Sequence, residues 1–221
     1  AIIKSKLNDG KYDWDFSELT KLDSIQQKNE VFFEFKPERW DWNYISQFGV
    51  CLLPAHNGKY LRKYRDHLNF KLISTREDIN IDDNMVSSFI EENWDWQALS
   101  SNTGTNITFG FIFKNREKEW DWSALSKNST IKWNDAKLRE ILKDPVIKAA
   151  ISWDDVVAKR ELHIDDSIIK LMDGIDIIWF ELSSNPSFSP SIKNLKRGIE
   201  EDAKINWRAL SKNQNIDLSF A

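Results

Sequence analysis

Three groups of residues in this 221-residue chain have types and spacings that chemistry could use. Glu34-Phe35-Lys36, with Asp23 upstream, combines carboxylates able to hold a divalent ion with a lysine able to position a nucleophile. Arg62 and His67, with four residues between them, pair a permanent cation with a side chain that exchanges protons near neutrality. Asp15, Asp41, Asp95, Asp121 and Asp154 form a row of acids beside tryptophans, which could line an acidic groove or bind calcium. Each group also has a plainer reading. Glu-x-Lys arises by chance in a chain that is 30% charged, and Val31 to Phe35 then reads as an alternating edge segment with solvated charges. Arg62 and His67 fall on the basic face of a short helix. No loop carries the Asp-x-Asp-x-Asp-Gly spacing of a calcium site, and helix capping accounts for the aspartates. No catalytic residue, metal or cofactor is assigned.

Two local basic clusters remain: Lys59, Arg62, Lys63 and Arg65, then Lys193, Lys196 and Arg197. They are the candidate interaction surface. The formal charge of the whole chain is −4, so there is no global electrostatic footprint for nucleic acid. No apolar run approaches the ~20 residues of a membrane helix, and no membrane contact is expected. A single cysteine, Cys51, excludes an internal disulfide and a cysteine-rich zinc site, and it suits a reducing compartment, the cytoplasm. His56, His67 and His163 are too scattered for a histidine metal centre.

What must position these residues is a tandem motif. Eleven tryptophans against seven glycines is unusual, and ten of the eleven fall in two slots of Trp-Asp-Trp-x-x-Leu-Ser or a decayed version of it. Copies start at Trp14, Trp40, Leu68, Trp94, Trp120, Trp153, Ile177 and Ile205, spaced 26, 28, 26, 26, 33, 24 and 28 residues apart. With the start as position zero, position one is Asp or Asn in seven of the eight copies, a helix N-cap. Positions zero and five are then apolar N′ and N4 residues, a hydrophobic staple. Positions two, five and six share one helical face, on which the small Ser leaves room for a neighbouring ring. Asn102, Asn128, Asn185 and Asn213 at position eight suit a left-handed helix stop.

A second helix follows in most copies. Its starts are Ile81-Asp82, Ile107-Thr108, Trp133-Asn134 and Ile164-Asp165, each with an apolar residue five positions after the first of the pair. Ser189-Pro190 reads as an N-cap followed by proline at N1. A two-helix unit of this size cannot bury its apolar face alone, so stacking is required. The expectation is an all-α, solenoid-like array of about eight helix–turn–helix units of roughly 27 residues, spanning 1–221. Near 31–36 the composition is strand-like, and a hairpin-like irregularity or a bent helix is expected there. Ala1 to Leu7 could end a preceding second helix, and Asn215-Ile216-Asp217 opens another, so the chain reads as a fragment of a longer polypeptide, although a capping half-unit would look similar.

Tandem Trp-Asp-Trp-x-x-(Leu/Ile)-Ser-x-Asn units, best seen at Trp94 to Thr108 and Trp120 to Ile131, resemble repeat proteins of giant viruses and some bacteria. Trp153 and Ile177 depart from that pattern. The resemblance implies a repeat scaffold and carries over no catalytic residue. The leading expectation is a non-catalytic repeat module that binds another protein, or other domains of its own chain, through its more variable second helix. The alternatives are a nucleic-acid-contacting segment of a larger defence or nuclease protein and, more remotely, a divalent-metal nuclease using Asp23, Glu34 and Lys36. The capping frame is testable: Asp121→Ala should lower unfolding stability by about 1 kcal/mol in urea titrations.

Overall fold

The structure is a computed structural model, and it describes residues 14–22, 39–52, 59–175, 179–200 and 204–216. Among these residues the chain is mostly helical, with fifteen short α-helices and one two-stranded parallel sheet. It divides into two compact units, residues 1–107 and 108–221. The strand-like segment at 31–36 lies outside the described residues, as does Ile177.

The first unit contains α1 (Phe16–Thr20), α2 (Trp42–Phe48), α3 (Lys59–Lys63), α4 (Phe70–Ser74), α5 (Asp83–Ser88) and α6 (Trp96–Ser101). Here α2 packs on α4 and α4 on α6, so the first helices of successive copies stack on one another. The second unit contains α7 (Phe109–Lys114), α8 (Trp122–Lys127), α9 (Asp135–Lys143), α10 (Pro145–Ala150) and α11 (Trp153–Val157). There follow β1 (Ile164–Asp165), α12 (Asp166–Leu171), α13 (Trp179–Ser184), β2 (Phe188–Ser189), α14 (Ile192–Glu200) and α15 (Trp207–Leu210). In it α8, α11, α13 and α15 pack in succession, and α9 packs on α12.

The motif starts a helix where expected. Asp15, Asp41, Asn69, Asp95, Asp121 and Asn206 cap α1, α2, α4, α6, α8 and α15. In each, a side-chain oxygen accepts from the N–H three residues on, at 2.8 to 3.4 Å. This answers one of the orphan donors of a helix start. Trp153 is the exception and corrects the register. Helix α11 begins at Trp153 and its N-cap is Ser152, so Asp154 caps nothing and this copy starts at Ile151. The spacings 33 and 24 thereby become 31 (151 − 120) and 26 (177 − 151). The surplus in the preceding copy is taken up by α10, an added helix with Pro145 at its first position and Asp144 accepting from the N–H groups of Val146 and Ile147. Trp153 imitates a position-zero tryptophan even in its bonding. Its indole N–H donates to the Lys148 carbonyl five residues back at 2.9 Å, as those of Trp94 and Trp120 do to Phe89 and Asn115.

Second helices start at Asp82, Thr108, Asn134 and Asp165, as the spacing predicts. The cap expected at Ser189 falls at Ser191, whose hydroxyl accepts from the Asn194 N–H at 3.4 Å. All five capping residues lie fourteen positions after the starts Leu68, Trp94, Trp120, Ile151 and Ile177. Ser189 is instead held extended in β2, where it pairs with Asp165 and Phe188 pairs with Ile164. The same parallel contact recurs between Asp82 and Asn106, with the Asn106 N–H donating to the Ile81 carbonyl at 2.8 Å.

The residue at position six does more than leave space. Thr20, Ser46, Ser74, Ser126 and Ser183 are buried, and each hydroxyl donates to the carbonyl four residues back at 2.6 to 2.8 Å. Each oxygen then accepts the backbone N–H of the next copy's N-cap residue: Asp41, Asn69, Asp95, Ser152 and Asn206, at 2.8 to 3.3 Å. Position eight also differs from expectation. Asn102 and Asn128 are extended, at φ −71, ψ 115 and φ −65, ψ 116, and make no left-handed stop. The physical reason is a clasp. The Asn102 amide donates to the Ser74 and Arg76 carbonyls of the preceding copy, while its oxygen accepts from Gly104 N–H at 2.8 Å. Asn185 repeats this on Val157, Lys159 and Ser187. Gly104 is needed there because a Cβ would sit 2.3 Å from the Glu77 carbonyl oxygen.

Motif positions supply part of the core, the rest coming from the second helices and turns: Trp40, Trp94, Trp120, Trp122, Trp153 and Trp179 are buried, with Ile45, Ile73, Leu99, Leu125, Val156, Leu182 and Leu210 at position five. Trp42 and Trp96 are half-buried, whereas Trp14 and Trp207 are exposed. Trp122→Ala should therefore cost about 3–5 kcal/mol, and Trp207→Ala, at 55% exposure, no more than about 0.5 kcal/mol by the same urea titration. Ser74→Ala, which leaves the Asp95 N–H without its acceptor, should cost about 1–3 kcal/mol; a cost equal to that of the exposed Ser211→Ala would contradict the bridging role.

Candidate interaction surface

The basic cluster of the first unit is built on α3. Tyr60, Leu61 and Tyr64 turn inward and are buried, which leaves Lys59, Arg62 and Lys63 on the outer side. The lysines fold back over the rims of the core, with the Lys59 ammonium 5.6 Å from the Tyr60 ring centre and that of Lys63 5.0 Å from Tyr64. Arg65, on the 3₁₀ turn Arg65–His67, is bound to the Glu92 carboxylate and lies 3.7 Å from Asp66, so acids of the same unit answer much of its charge. Arg62 lines a groove of about 360 Å³ with Leu52, Ile79, Asp82, Met85 and Phe89. His67 is stacked on the Trp42 indole, 5.2 Å between centres and 18° from parallel.

In the second unit, α14 carries Lys193, Lys196 and Arg197. The lysines are exposed and the arginine half-buried, and together with Ile192, Asn194 and Glu200 they line a hollow of about 630 Å³. The start of this helix is fixed by Asp166, whose carboxylate accepts from Ser191 N–H and from the Asn194 amide, both at 2.8 Å. Gly198 lets α14 approach Trp179; a Cβ there would meet the ring at 3.0 Å.

Asp23, Glu34 and Lys36 lie outside the described residues. Among the described residues no three His, Cys, Asp or Glu side chains are grouped as an ion would require, and no helix is long and apolar enough to cross a membrane.

Two features escaped the sequence reading because they occupy the position-eight slot without being asparagine. Arg76 is buried in that slot of the copy starting at Leu68 and reaches back to the Gly49 carbonyl, 3.0 Å from its Nη1. Its Nε and Nη2 each bind one oxygen of Asp78 at 2.8 Å. This two-pronged hydrogen bond holds the Asp78 carboxyl below its ordinary value of 3.8. Lys159 fills the slot in the copy starting at Ile151, with its ammonium 5.7 Å over the buried Trp133 ring, and burial pulls its pKa down. The recurrence of Asn at this offset was the available signal for Arg76, whereas Lys159 reaches the slot only once the copy is started at Ile151.

No protein-family model matches this chain, no curated protein matches it, and no solved structure matches its fold.

Proposed function

We propose that the chain is a non-catalytic helical scaffold, its copies stacked as a solenoid, that presents its second-helix surface to another protein or to other domains of its own polypeptide. One observation carries this reading: the residues the copies share are engaged in joining copy to copy. The serine hydroxyls take the next copy's N–H, the asparagine amides take the preceding copy's carbonyls, and all but Trp14 and Trp207 of the motif tryptophans are buried or half-buried. What is left to distinguish one copy from the next lies outward, on helices such as α3 and α14, with Lys59, Arg62 and Lys63 on one and Lys193, Lys196 and Arg197 on the other. Variable outer faces on a constant frame are how stacked-helix proteins recognise partners.

The test is a set of charge reversals, Lys59→Glu with Lys63→Glu and, separately, Lys193→Glu with Lys196→Glu. Binding is read by capture of proteins on the immobilised chain and by fluorescence anisotropy with labelled single-stranded and duplex oligonucleotides. Protein capture that is lost in one reversal set but kept in Trp207→Ala supports the scaffold reading. Salt-dependent oligonucleotide binding, lost in the same reversals without any protein capture, would replace it with the nucleic-acid reading.

A further inference from the structure

At the joints clasped by Asn102 and Asn185, the clasp is an amide, which carries no titratable proton in the ordinary pH range. The joint between α2 and α4 is different, because there the carbonyl of Gly49 is held by the Arg76 guanidinium. Arg76 is 5% exposed and always charged, and its ionic partner is the Asp78 carboxylate. Gly49 is followed directly by the 3₁₀ turn Val50–Leu52, in which Cys51 and Leu52 are buried.

We infer that the Arg76–Asp78 pair makes this joint acid-releasable: protonation of Asp78 leaves a buried cation without its counter-charge, the hold on Gly49 is lost, and the Val50–Leu52 turn opens to uncover Cys51. A buried guanidinium stripped of its partner is far less stable than one exposed to water, so the side chain moves outward. Asparagine at the same slot has no such dependence.

The other groups around Arg76 do not supply the switch. The Cys51 thiol feels the Arg76 charge, yet burial pushes it up to about 11, and burial likewise raises the Tyr60 phenol, so both stay neutral through the acid range. Glu77, next in the chain, has its carboxylate accepting from the Thr103 hydroxyl at 3.2 Å. The sign follows from Asp78. A carboxyl depressed on folding contributes stability that is fully present above its unfolded value and is lost as the pH falls through the folded one, so release begins below about pH 4.

Cys51 is the single cysteine of the chain and therefore a built-in reporter. Its reaction with 4,4′-dithiodipyridine, a disulfide that accepts thiols in acid, is timed from pH 7 to pH 3 and divided by the rate of the same protein in urea at each pH. Far-UV circular dichroism is followed in parallel. The expected result is protection that is level from pH 7 to about pH 5 and falls roughly tenfold or more below about pH 4, with helicity retained. Arg76→Asn, which installs the clasp used elsewhere, should stay level, and Asp78→Asn should be poorly protected even at pH 7. The inference is overturned if Arg76→Asn loses protection in step with the parent, if Asp78→Asn is as protected as the parent at pH 7, or if helicity and protection vanish together. Should Arg76→Asn fail to fold, the Asp78→Asn comparison decides alone.

Discussion

A hydroxyl at the end of five of the motif helices satisfies two backbone groups at once, and much of the stacking within each unit depends on that. Ser74 donates to the Phe70 carbonyl within its own helix and accepts the N–H of Asp95, the cap of the next motif helix. Helices of four to seven residues are marginal alone, because nucleation is costly and few bonds repay it. Their ends carry nearly as many unpaired backbone groups as their middles carry paired ones. Here those ends face one another, and the serine turns two liabilities into one joint. Because the joint is buried, neither group can turn to water instead, and the register between successive copies is fixed to the residue.

The asparagine clasp and the tryptophans are consequences of the same close stacking. Carbonyls at the C-terminal end of a motif helix, such as those of Ser74 and Arg76, cannot reach their own helix and are taken by the Asn102 amide. That draws the chain past the previous loop so tightly that only glycine fits at 104. Indoles fill the space between helices too short to bring many side chains each. Trp94 and Trp120 also use their N–H on the end of the preceding helix, so a large apolar ring is buried without leaving its polar atom unpaired.

On the proposed scaffold reading, partner binding falls to the surfaces that this frame does not use. The two basic clusters are not equivalent. On the first, Arg65 is answered by Glu92 and both lysines lie over tyrosine rings, whereas on α14 Lys193 and Lys196 border an open hollow. Position eight shows how a frame residue can be exchanged without losing the joint. Arg76 keeps the carbonyl contact and adds a charge dependence, while Lys159 exchanges hydrogen bonding for a place over Trp133.

Much of the local structure was legible in the residues themselves. Asp121, Asn69 and Asn206 announce helix starts because a short acceptor side chain beside an apolar residue has little else to do, and the backbone confirms each cap. The outward placement of Lys59, Arg62 and Lys63 followed from the apolar residues between them. The register at Trp153 was not legible, since Trp153-Asp154 copies the motif in sequence. The start of the helix at Trp153 and the bond from the Ser152 N–H to Ser126 identify the true cap. Nor was the meaning of Ser at position six or Asn at position eight, because their partners lie 20 to 30 residues away and a spacing rule within one copy cannot see them. The sequence by itself determined where helices begin and which faces are apolar, since those depend on neighbours within a turn or two. Tertiary structure alone decided which polar side chains hold copy to copy, because buried backbone groups choose their partners only once the helices have met.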